Sequence, residues 1–357
     1  MFRIFALFAL LWPLQTQALE QSTPAGAAIL IDITSGAVLL EKNADEALPP
    51  ASMSKLMTLD VVFGAIASGQ LSLDDEFRTT RRASQMGGSK MFLRQGESVS
   101  VENLIRGVVV QSGNDAAVAL AEALSGTEEA FSQTLNDRAR EIGLTNSTFT
   151  NSTGWPEPEH RMSVRDLAIL GRHIVEEFPE FYPYFIEESF TWDDITQRNR
   201  NPLLGLDLGV DGLKTGHTEE AGYGLVASAE REGRRVVLVV TGLESAAQRK
   251  QEAERLINWA FRAFETRTLY RAGEPLIEAP VWIGAEATLA LAPERDVVVT
   301  LPIGRSGAPA QLSARYTSPV VAPIAAGARI GYLSLTVEDM AEVRVPLVAT
   351  EAIGQGG

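Results

Sequence analysis

The chain has 357 residues, of which 45% are hydrophobic and 22% are charged, ordinary values for a globular protein of about two domains. Its formal net charge of -15 argues against nucleic acid and anionic membranes as main partners. The absence of cysteine excludes disulfides, thiol nucleophiles and zinc–thiolate sites, and the three histidines, His160, His173 and His217, are not spaced as metal ligands. We therefore expect neither a metal nor another cofactor.

The N-terminus has the three-part layout of a secretory signal peptide. Arg3 supplies a positive charge, residues 4–14 form an apolar run broken late by a proline, and residues 16–18 end in a small side chain. The apolar run is too short to span a bilayer, which needs about 20 such residues. We expect residues 1–18 to be removed and the exported chain to begin at Leu19. The alternative is a buried N-terminal helix.

The following residues predict a domain that mixes helices and strands. Residues 27–40 contain two apolar runs around a Thr-Ser-Gly turn, which is typical of a β-hairpin. A proline pair then precedes an apolar helix that we expect from Ser52 to Ile66. The remaining predicted elements are two helices within 101–124 separated at 111–114, a loop at 151–163, a helix at 164–178, strands at 209–213, 223–229 and 235–242, and a helix at 246–264.

After about residue 268 the helical periodicity ends. Short apolar runs rich in β-branched residues lie between Pro and Gly residues, a pattern typical of an all-β domain. We therefore predict an α+β fold in which residues 19–267 form the first domain. A small β-sandwich over 268–350 follows, and residues 351–357 form a tail.

Three short motifs carry the chemistry of the first domain. S-x-x-K occurs at 52–55, S-x-N at 112–114 and K-T-G at 214–216, and each occurs once. Each motif alone is weak evidence, but the three stand in a fixed order and fall on a helix start, an interhelical turn and a strand. Together they indicate the serine acyl-transfer site of penicillin-binding proteins and class A β-lactamases.

The first motif predicts the nucleophile and its base. A serine hydroxyl needs an adjacent base, and residues three apart on a helix share a face. Ser52 and Lys55 are so placed, whereas Ser54 is not and is assigned to packing or capping. Burial on an apolar helix and a nearby Lys214 would lower the pKa of Lys55 and leave its amine partly neutral.

The second motif predicts groups that handle the leaving amine and the substrate amide. The Ser112 hydroxyl can relay a proton toward the leaving amine, and Asn114 can hydrogen-bond the substrate amide with both of its amide groups. For the oxyanion we expect the backbone N–H groups of Ser52 and His217.

The third motif predicts the groups that bind the substrate. Lys214 supplies a positive charge, and Thr215 adds a hydroxyl for a carboxylate. Gly216 has no side chain, so an extended peptide can lie along the strand edge. The class of ligand expected here is a peptide with a carboxylate at its end.

At this point the sequence resembles the low-molecular-mass penicillin-binding D,D-carboxypeptidases, the S11 serine peptidase family. The similar stretches are longer than the motifs and include AAILIDITSGAVLLEKNADEALPPASMSKLMT, VVQSGNDAAVALAE and VDGLKTGHTEEAGYGLVASA. The resemblance runs from about residue 25 to the end, because the family also carries a C-terminal β-domain. It implies a β-lactamase/transpeptidase-like catalytic domain.

The resemblance also implies roles for particular residues. Ser52 corresponds to the acylated serine, Lys55 to the proton acceptor and Ser112 to the second active-site serine. His217 follows K-T-G directly, as in the carboxypeptidases, and Arg249 stands where the family places an arginine near the substrate carboxylate. Asn114, Lys214, Thr215 and Gly216 complete the expected substrate-binding set.

The implied substrate is a peptidoglycan stem peptide that ends in D-Ala-D-Ala, and β-lactams would mimic that end and acylate the nucleophile. Such an enzyme serves cell-wall biosynthesis in the periplasm, or at the outer face of the inner membrane. Family members commonly end in an amphipathic helix that holds them on the membrane, but residues 350–357 have no amphipathic or basic face. Either the protein is free in the periplasm or the chain continues.

Three other readings compete with the carboxypeptidase. A class A β-lactamase needs E-x-x-x-N between the second and third motifs, but the only such pattern is at 254–258, and residue 113 is glycine where those enzymes have aspartate. A D,D-endopeptidase would use the same catalytic set on crosslinks. A catalytically weak wall-binding module would keep the motifs as a relic.

Overall fold

The computed structural model describes residues 22–304, 311–336 and 342–356, so the predicted signal peptide at 1–18 lies outside it. Helices and strands are mixed up to residue 263. In chain order the elements are β1 (Ala27–Asp32), β2 (Ala37–Lys42), a 3-10 turn (Ala51–Ser54), α1 (Lys55–Ala67), β3 (Glu76–Arg78), α2 (Arg81–Gln85), β4 (Ser98–Ser100), α3 (Val101–Val109), α4 (Asn114–Ser125), α5 (Glu128–Glu141), α6 (Val164–Glu177), a second 3-10 turn (Tyr182–Ile186), β5 (Ser189–Trp192), β6 (Ile195–Arg198), β7 (Val210–Thr218), β8 (Gly222–Arg231), β9 (Arg234–Leu243) and α7 (Ala246–Ala263).

The C-terminal region consists of strands, in agreement with the predicted all-β domain. Its elements are β10 (Phe264–Tyr270), β11 (Ile277–Trp282), β12 (Thr288–Pro293), β13 (Val297–Pro302), β14 (Gln311–Tyr316), β15 (Val320–Val321), β16 (Arg329–Thr336) and β17 (Val343–Ala349). One sheet has six strands in the order β14-β16-β17-β12-β11-β15, and β10 pairs with β13 in a second sheet. Since β10 runs across residue 267, the domain boundary at that residue stays a prediction.

A five-stranded antiparallel sheet forms the centre of the N-terminal region, in the order β2-β1-β9-β8-β7. On one face, Ala27 and Ile29 pack with residues of α1 and α3–α6, and on the other, Ala28 and Leu30 pack with α7. Neighbouring residues of a strand point to opposite faces, so a sheet covered on both faces requires an unbroken apolar run. β7 lies at one edge of this sheet.

Most of the predicted elements are present, with bounds that differ by a few residues. Two differences affect the site. The α-helix expected from Ser52 begins at Lys55, after a 3-10 turn, and no predicted element corresponds to α5. Within the described ranges, no helix is long and apolar enough to cross a membrane.

A buried cluster around an ion pair joins the central sheet to the C-terminal strands. Asp32 at the end of β1 is fully buried, and Arg234 Nε donates to its Oδ2 at 2.7 Å. Thr300 on β13 donates to the same oxygen at 2.9 Å, and its hydroxyl lies 2.6 Å from Ser35 Oγ. Arg234 also donates to the carbonyl of Phe264, where α7 is followed by β10. These contacts connect both regions at one end of the sheet.

Candidate active site

Ser52 lies in the 3-10 turn that leads into α1. The preceding Ala51 has a left-handed φ of 49°, a backbone conformation that is uncommon for a residue with a side chain and recurs at functional sites. Side chains at i and i+3 eclipse each other in a 3-10 turn. The Lys55 amine accordingly lies 2.9 Å from Ser52 Oγ.

Lys55 is completely buried, and its amine also donates to the carbonyl of Thr153 at 2.6 Å. Burial lowers the pKa of Lys55 to about 7, and the negative charge of Asp115 opposes this effect. The lowering was expected from burial together with Lys214, and burial is its cause. Near neutral pH the amine is therefore divided between its charged and neutral forms.

Ser112 lies between α3 and α4 in a left-handed conformation, with φ of 58°. The amine of Lys214 donates to Ser112 Oγ at 2.8 Å, which links the second motif to the third. Burial lowers the pKa of Lys214 well below its ordinary value, and the charges of Lys55, Arg200 and Arg249 lower it further. Lys214 therefore carries its expected positive charge only when an anion lies beside it and raises its pKa again.

Asn114 opens α4 and connects it to the loop before residue 90. Its backbone N–H donates to the carbonyl of Ser89 at 2.7 Å, and its Nδ2 donates to the carbonyl of Gly87 at 2.8 Å. Among the residues that the structure describes, its buried Oδ1 has no hydrogen-bond partner. The Nδ2 group carries a second N–H, so the expectation that both amide groups bind the substrate stays a prediction.

The K-T-G motif lies on β7, at the sheet edge next to the 3-10 turn. A Cβ atom added at Gly216 would lie 2.9 Å from the carbonyl oxygen of Pro50 and 3.0 Å from Met53 Cγ. Glycine is required here because β7 and the turn approach closely. We expected the glycine to leave room for an extended peptide along the strand. On the side where its Cβ atom would lie, the 3-10 turn fills the space instead.

A cleft of about 290 Å³ opens where these three segments meet. The predicted residues that line it are Ser52, Ser112, Thr215, Gly216, His217 and Arg249. Lys55 and Lys214 are buried behind its wall, and Asn114 is not among the lining residues. Ser89, Arg200 and Tyr223 also line the cleft, although no motif pointed to them.

Arg249, from the second turn of α7, lies at the end of the cleft near β8. It is 8% exposed, and its Nη1 makes a long contact of 3.4 Å with the carbonyl of Gly224. In the part of the chain that the structure describes, its buried Nε has no hydrogen-bond acceptor. The guanidinium lies 5.7 Å from the centre of the Tyr223 ring, and the centroids of the Tyr223 and His217 rings are 3.9 Å apart. A guanidinium with spare donors facing a cleft can bind a carboxylate.

Residues 14–245 match the family described as D-alanyl-D-alanine carboxypeptidase, peptidase S11, and residues 264–355 match the C-terminal domain of penicillin-binding protein 5. The chain belongs to the S11 family of D-alanyl-D-alanine carboxypeptidases. D-alanyl-D-alanine carboxypeptidase DacC of Escherichia coli strain K12 is 38% identical over 346 residues, which cover 94% of this chain and 86% of the relative.

Solved structures agree with this membership. Penicillin-binding protein 5 from Haemophilus influenzae has a TM-score of 0.85 at 36% identity and covers 94% of this chain and 100% of its own. Penicillin-binding protein D2 from Listeria monocytogenes, solved in an ampicillin-bound form, has a TM-score of 0.61 at 32% identity over 66% of this chain and 97% of its own.

These similarities confirm the predicted family, the fold class and the function. The chain is a penicillin-binding serine-type carboxypeptidase, a hydrolase of the bacterial cell wall, with a mixed α and β domain followed by an all-β domain. Within the described ranges, no group of three or more His, Cys, Asp or Glu side chains is arranged to hold a metal ion.

Ser54 and His160 of this carboxypeptidase, to which the motifs assign no chemistry, also support the site. Ser54, expected to pack or cap, is buried and makes no capping bond; its hydroxyl lies 3.0 Å from His160 Nε2. Burial, together with the charge of Lys55, lowers the pKa of His160 to about 4, so its ring is neutral at pH 7. Its Nδ1 accepts from the N–H of Thr150, so Nε2 carries the proton and donates to Ser54. The pair holds the 150–160 loop against the 3-10 turn.

Proposed function

We propose that this carboxypeptidase acts through Ser52, which attacks the penultimate D-Ala carbonyl of a stem peptide ending in D-Ala-D-Ala. The observation that carries the proposal is the 2.9 Å contact between Ser52 Oγ and the amine of the buried Lys55. Because the pKa of Lys55 is lowered to about 7, part of the lysine is neutral at neutral pH and can accept the serine proton.

In the acylation step, Ser52 Oγ forms an ester bond with the carbonyl carbon and its proton passes to Lys55. The N–H groups of Ser52 and His217 hold the oxyanion, and losing one such donor typically costs about 10²–10³ in rate. The peptide C–N bond then breaks. The amine of the leaving D-Ala takes a proton from Ser112, which the amine of Lys214, 2.8 Å away, replaces.

In the deacylation step, a water molecule attacks the ester carbonyl and the bond to Ser52 Oγ breaks. Before this step, the proton that Lys55 took from Ser52 passes through solvent in the cleft to Lys214, which gave one up, so both amines regain their starting forms. The neutral Lys55 then accepts the proton of the water and returns a proton to the serine. The products are a stem peptide shortened by one D-Ala and the free enzyme. The same base thus serves both halves of the reaction.

The terminal carboxylate of the substrate binds at the far end of the cleft. Arg249 has a buried Nε without an acceptor among the described residues, and Thr215 offers a hydroxyl on the cleft wall. A carboxylate there raises the pKa of Lys214 and so favours its charged form. The Oδ1 of Asn114 accepts from an amide N–H of the peptide. These assignments together select substrates with a free C-terminus.

β-Lactams place a strained amide where the substrate has its penultimate carbonyl, so we expect them to acylate Ser52. The substrate is in the cell wall, and the predicted signal peptide at 1–18 supports export to the periplasm. A place at the outer face of the inner membrane fits the same substrate. Comparing periplasmic and membrane fractions for the bound fluorescent penicillin distinguishes the two locations.

The experiment that tests the proposal combines two readouts on the exported chain. Mass spectrometry after incubation with a fluorescent penicillin locates the adduct, and D-alanine release is measured from a D-Ala-D-Ala peptide. We expect an adduct on Ser52 and D-alanine release, both lost in Ser52→Ala. The rate of adduct formation should rise as the pH passes about 7, because neutral Lys55 is the active form.

Other outcomes would point elsewhere. An adduct without D-alanine release would favour an endopeptidase or a weak wall-binding module, and rapid turnover of the penicillin would favour a β-lactamase. An adduct that persists in Ser52→Ala would contradict the assignment of the nucleophile.

A further inference from the structure

The amine of Lys55 is held between two oxygen atoms. One is Ser52 Oγ, 2.9 Å away, and the other is the backbone carbonyl of Thr153, 2.6 Å away. The position of this carbonyl therefore decides where the amine lies relative to the serine hydroxyl. Because Thr153 belongs to a loop, the direction of its carbonyl requires an explanation.

The two peptide units on either side of Thr153 are held by hydrogen bonds. In the first, the carbonyl of Ser152 accepts from the Thr58 hydroxyl at 2.7 Å, and the N–H of Thr153 donates to Asn151 Oδ1 at 3.1 Å. In the second, the N–H of Gly154 donates to the same Asn151 oxygen at 2.8 Å, opposite the carbonyl that meets the lysine. Each unit is thus fixed at both its donor and its acceptor.

Glu128 anchors this loop from outside the cleft. Its Oε1 accepts from the backbone N–H of Ser152 at 3.1 Å and from the Ser152 hydroxyl at 2.7 Å. Glu128 is only 5% exposed, and Ser152 is completely buried. Hydrogen bonds to an ionised carboxylate are roughly twice as strong as neutral ones. A single side chain at the start of α5 therefore holds the residue that precedes Thr153.

We propose that Glu128 is a positioning residue for acyl transfer: through Ser152 it keeps the Thr153 carbonyl directed at the amine of Lys55. Glu128 touches neither the substrate cleft nor the reacting atoms. This inference rests on the proposed role of Lys55 as the base.

Glu129 is a matched control on the same helix turn. Its side chain is 70% exposed and binds Arg82 at 2.8 Å, the same arginine that binds Glu128 Oε2 at 2.7 Å. Both glutamates lie in the first turn of α5, where the helix dipole favours a negative charge. They differ in burial, and Glu128 contacts Ser152 whereas Glu129 does not.

The experiment compares wild type, Glu128→Ala, Glu128→Gln and Glu129→Ala. The rate of adduct formation with a fluorescent penicillin is measured from about pH 5 to 9, at a temperature where thermal unfolding shows every variant to be folded. We expect Glu128→Ala to react about tenfold more slowly. The acid limb of its pH–rate profile, where the rate falls as Lys55 becomes protonated, should move to higher pH. The reason is that a loosened loop admits water to Lys55 and removes the burial that lowers the pKa of this lysine.

The other two variants separate positioning from general stability. Glu128→Gln keeps an oxygen that accepts from Ser152, so its rate should return to within about threefold of wild type. Glu129→Ala should match wild type in both rate and pH profile. A merely structural Glu128 would change the unfolding temperature without moving the acid limb.

If Glu128→Ala does not fold, Ser152→Ala is the second test, because it removes only the 2.7 Å hydroxyl bond to Glu128. We expect it to lose about threefold in rate, with the acid limb shifted in the same direction. The proposal is overturned if Glu128→Ala or, where that variant is unfolded, Ser152→Ala matches Glu129→Ala in rate and pH profile. A wild type without an adduct on Ser52 would overturn the proposed function as well, so the two failures are distinguishable.

Discussion

At the scale of single residues, Asp115 has two effects on the site. Its buried carboxylate accepts the backbone N–H groups of Met91, Phe92 and Leu93 at 2.9 to 3.0 Å, which fixes the loop after Ser89. Its negative charge also opposes the lowering of the Lys55 pKa by burial. One carboxylate therefore both holds the loop beside the cleft and raises the pH at which the base becomes neutral.

Replacing Asp115 by Asn should move the acid limb of acylation to lower pH. Neutral Lys55 is the active form, so activity is present above its pKa and lost as the pH falls through it, at about 7 in the wild type. Without the nearby negative charge this pKa falls further. The maximal rate should also drop, because one amide oxygen replaces two carboxylate oxygens as acceptor. The measurement is the penicillin acylation rate against pH.

The control for this prediction is Asp137→Asn, which removes an exposed carboxylate on α5 that pairs with Arg140. It should leave the profile unchanged. An acid limb for Asp115→Asn that stays in place, or moves to higher pH, would contradict the electrostatic role of Asp115. The expected shift is opposite to that for Glu128→Ala, so the two variants test different causes.

At the scale of elements, the approach of β7 to the 3-10 turn is what brings the third motif to the nucleophile. Gly216 faces Pro50 and Met53 at distances that leave no space for a Cβ atom. The pairing of β7 with β8 continues through Gly216, so β7 cannot move away from the turn without breaking hydrogen bonds of the sheet. The glycine is a packing requirement between two elements.

Gly216→Ala should therefore slow acylation by about tenfold or more and destabilise the fold by about 1–3 kcal/mol, the usual cost of overpacking. The control is Gly64→Ala in α1, where the nearest side-chain atom would lie 3.9 Å from the new Cβ. That variant should keep its activity and gain roughly 0.5–1 kcal/mol, because alanine favours a helix. Penicillin acylation and urea unfolding measure both effects. A Gly216→Ala enzyme with wild-type acylation would refute the packing argument.

Most elements of the N-terminal region could be predicted because burial on both sheet faces leaves long apolar runs in the sequence. α5 was missed because it is largely polar, although Phe131, Leu135 and Ala139 are spaced four apart and Thr127 provides a cap. The 3-10 turn could not be predicted, since both helix types bring side chains at i and i+3 close together and a single turn does not distinguish them. The local sequence pattern reflects the apolar side chains that a segment buries, and a short or polar segment buries few of them.

The motif residues could be predicted because their chemistry requires fixed neighbours along the chain. Arg249 was identified only through resemblance, and Arg200 and Tyr223 carry no local signal. The same holds for Glu128, whose partner Ser152 is distant in sequence. Such contacts come from the packing of α5 against a loop, and nothing in either segment alone indicates them.

At the scale of the whole molecule, the cluster around Asp32 connects the catalytic sheet to the C-terminal strands. The strand register places this cluster at one end of the sheet, beside the β8–β9 turn, whereas His217 pairs with Tyr223 toward the other end. The joint between the regions, formed by Asp32, Ser35, Arg234 and Thr300, is thus separate from the cleft. A change at the joint should affect stability and leave chemistry on a small substrate unaltered.

Thr300→Val tests this separation, because valine has the same shape but removes the bonds to Asp32 and Ser35. We expect the free energy of unfolding to fall by about 1–3 kcal/mol, since a buried carboxylate loses one donor. Penicillin acylation should stay at the wild-type rate. Thr268→Val, at an exposed position of β10, should change neither quantity. A Thr300→Val protein with slower acylation would show that the joint does influence the cleft.

The order of strands in the central sheet has a kinetic consequence. β1 lies next to β9 in the sheet, with Ala27 paired to Thr241, so the first strand of the described chain pairs with the strand of this sheet that comes last in the sequence. Contacts between residues so far apart in sequence slow folding. A chain that emerges N-terminus first therefore cannot complete this sheet until β9 is available. Until then the chain lacks the strand that joins β1 and β2 to β8 and β7.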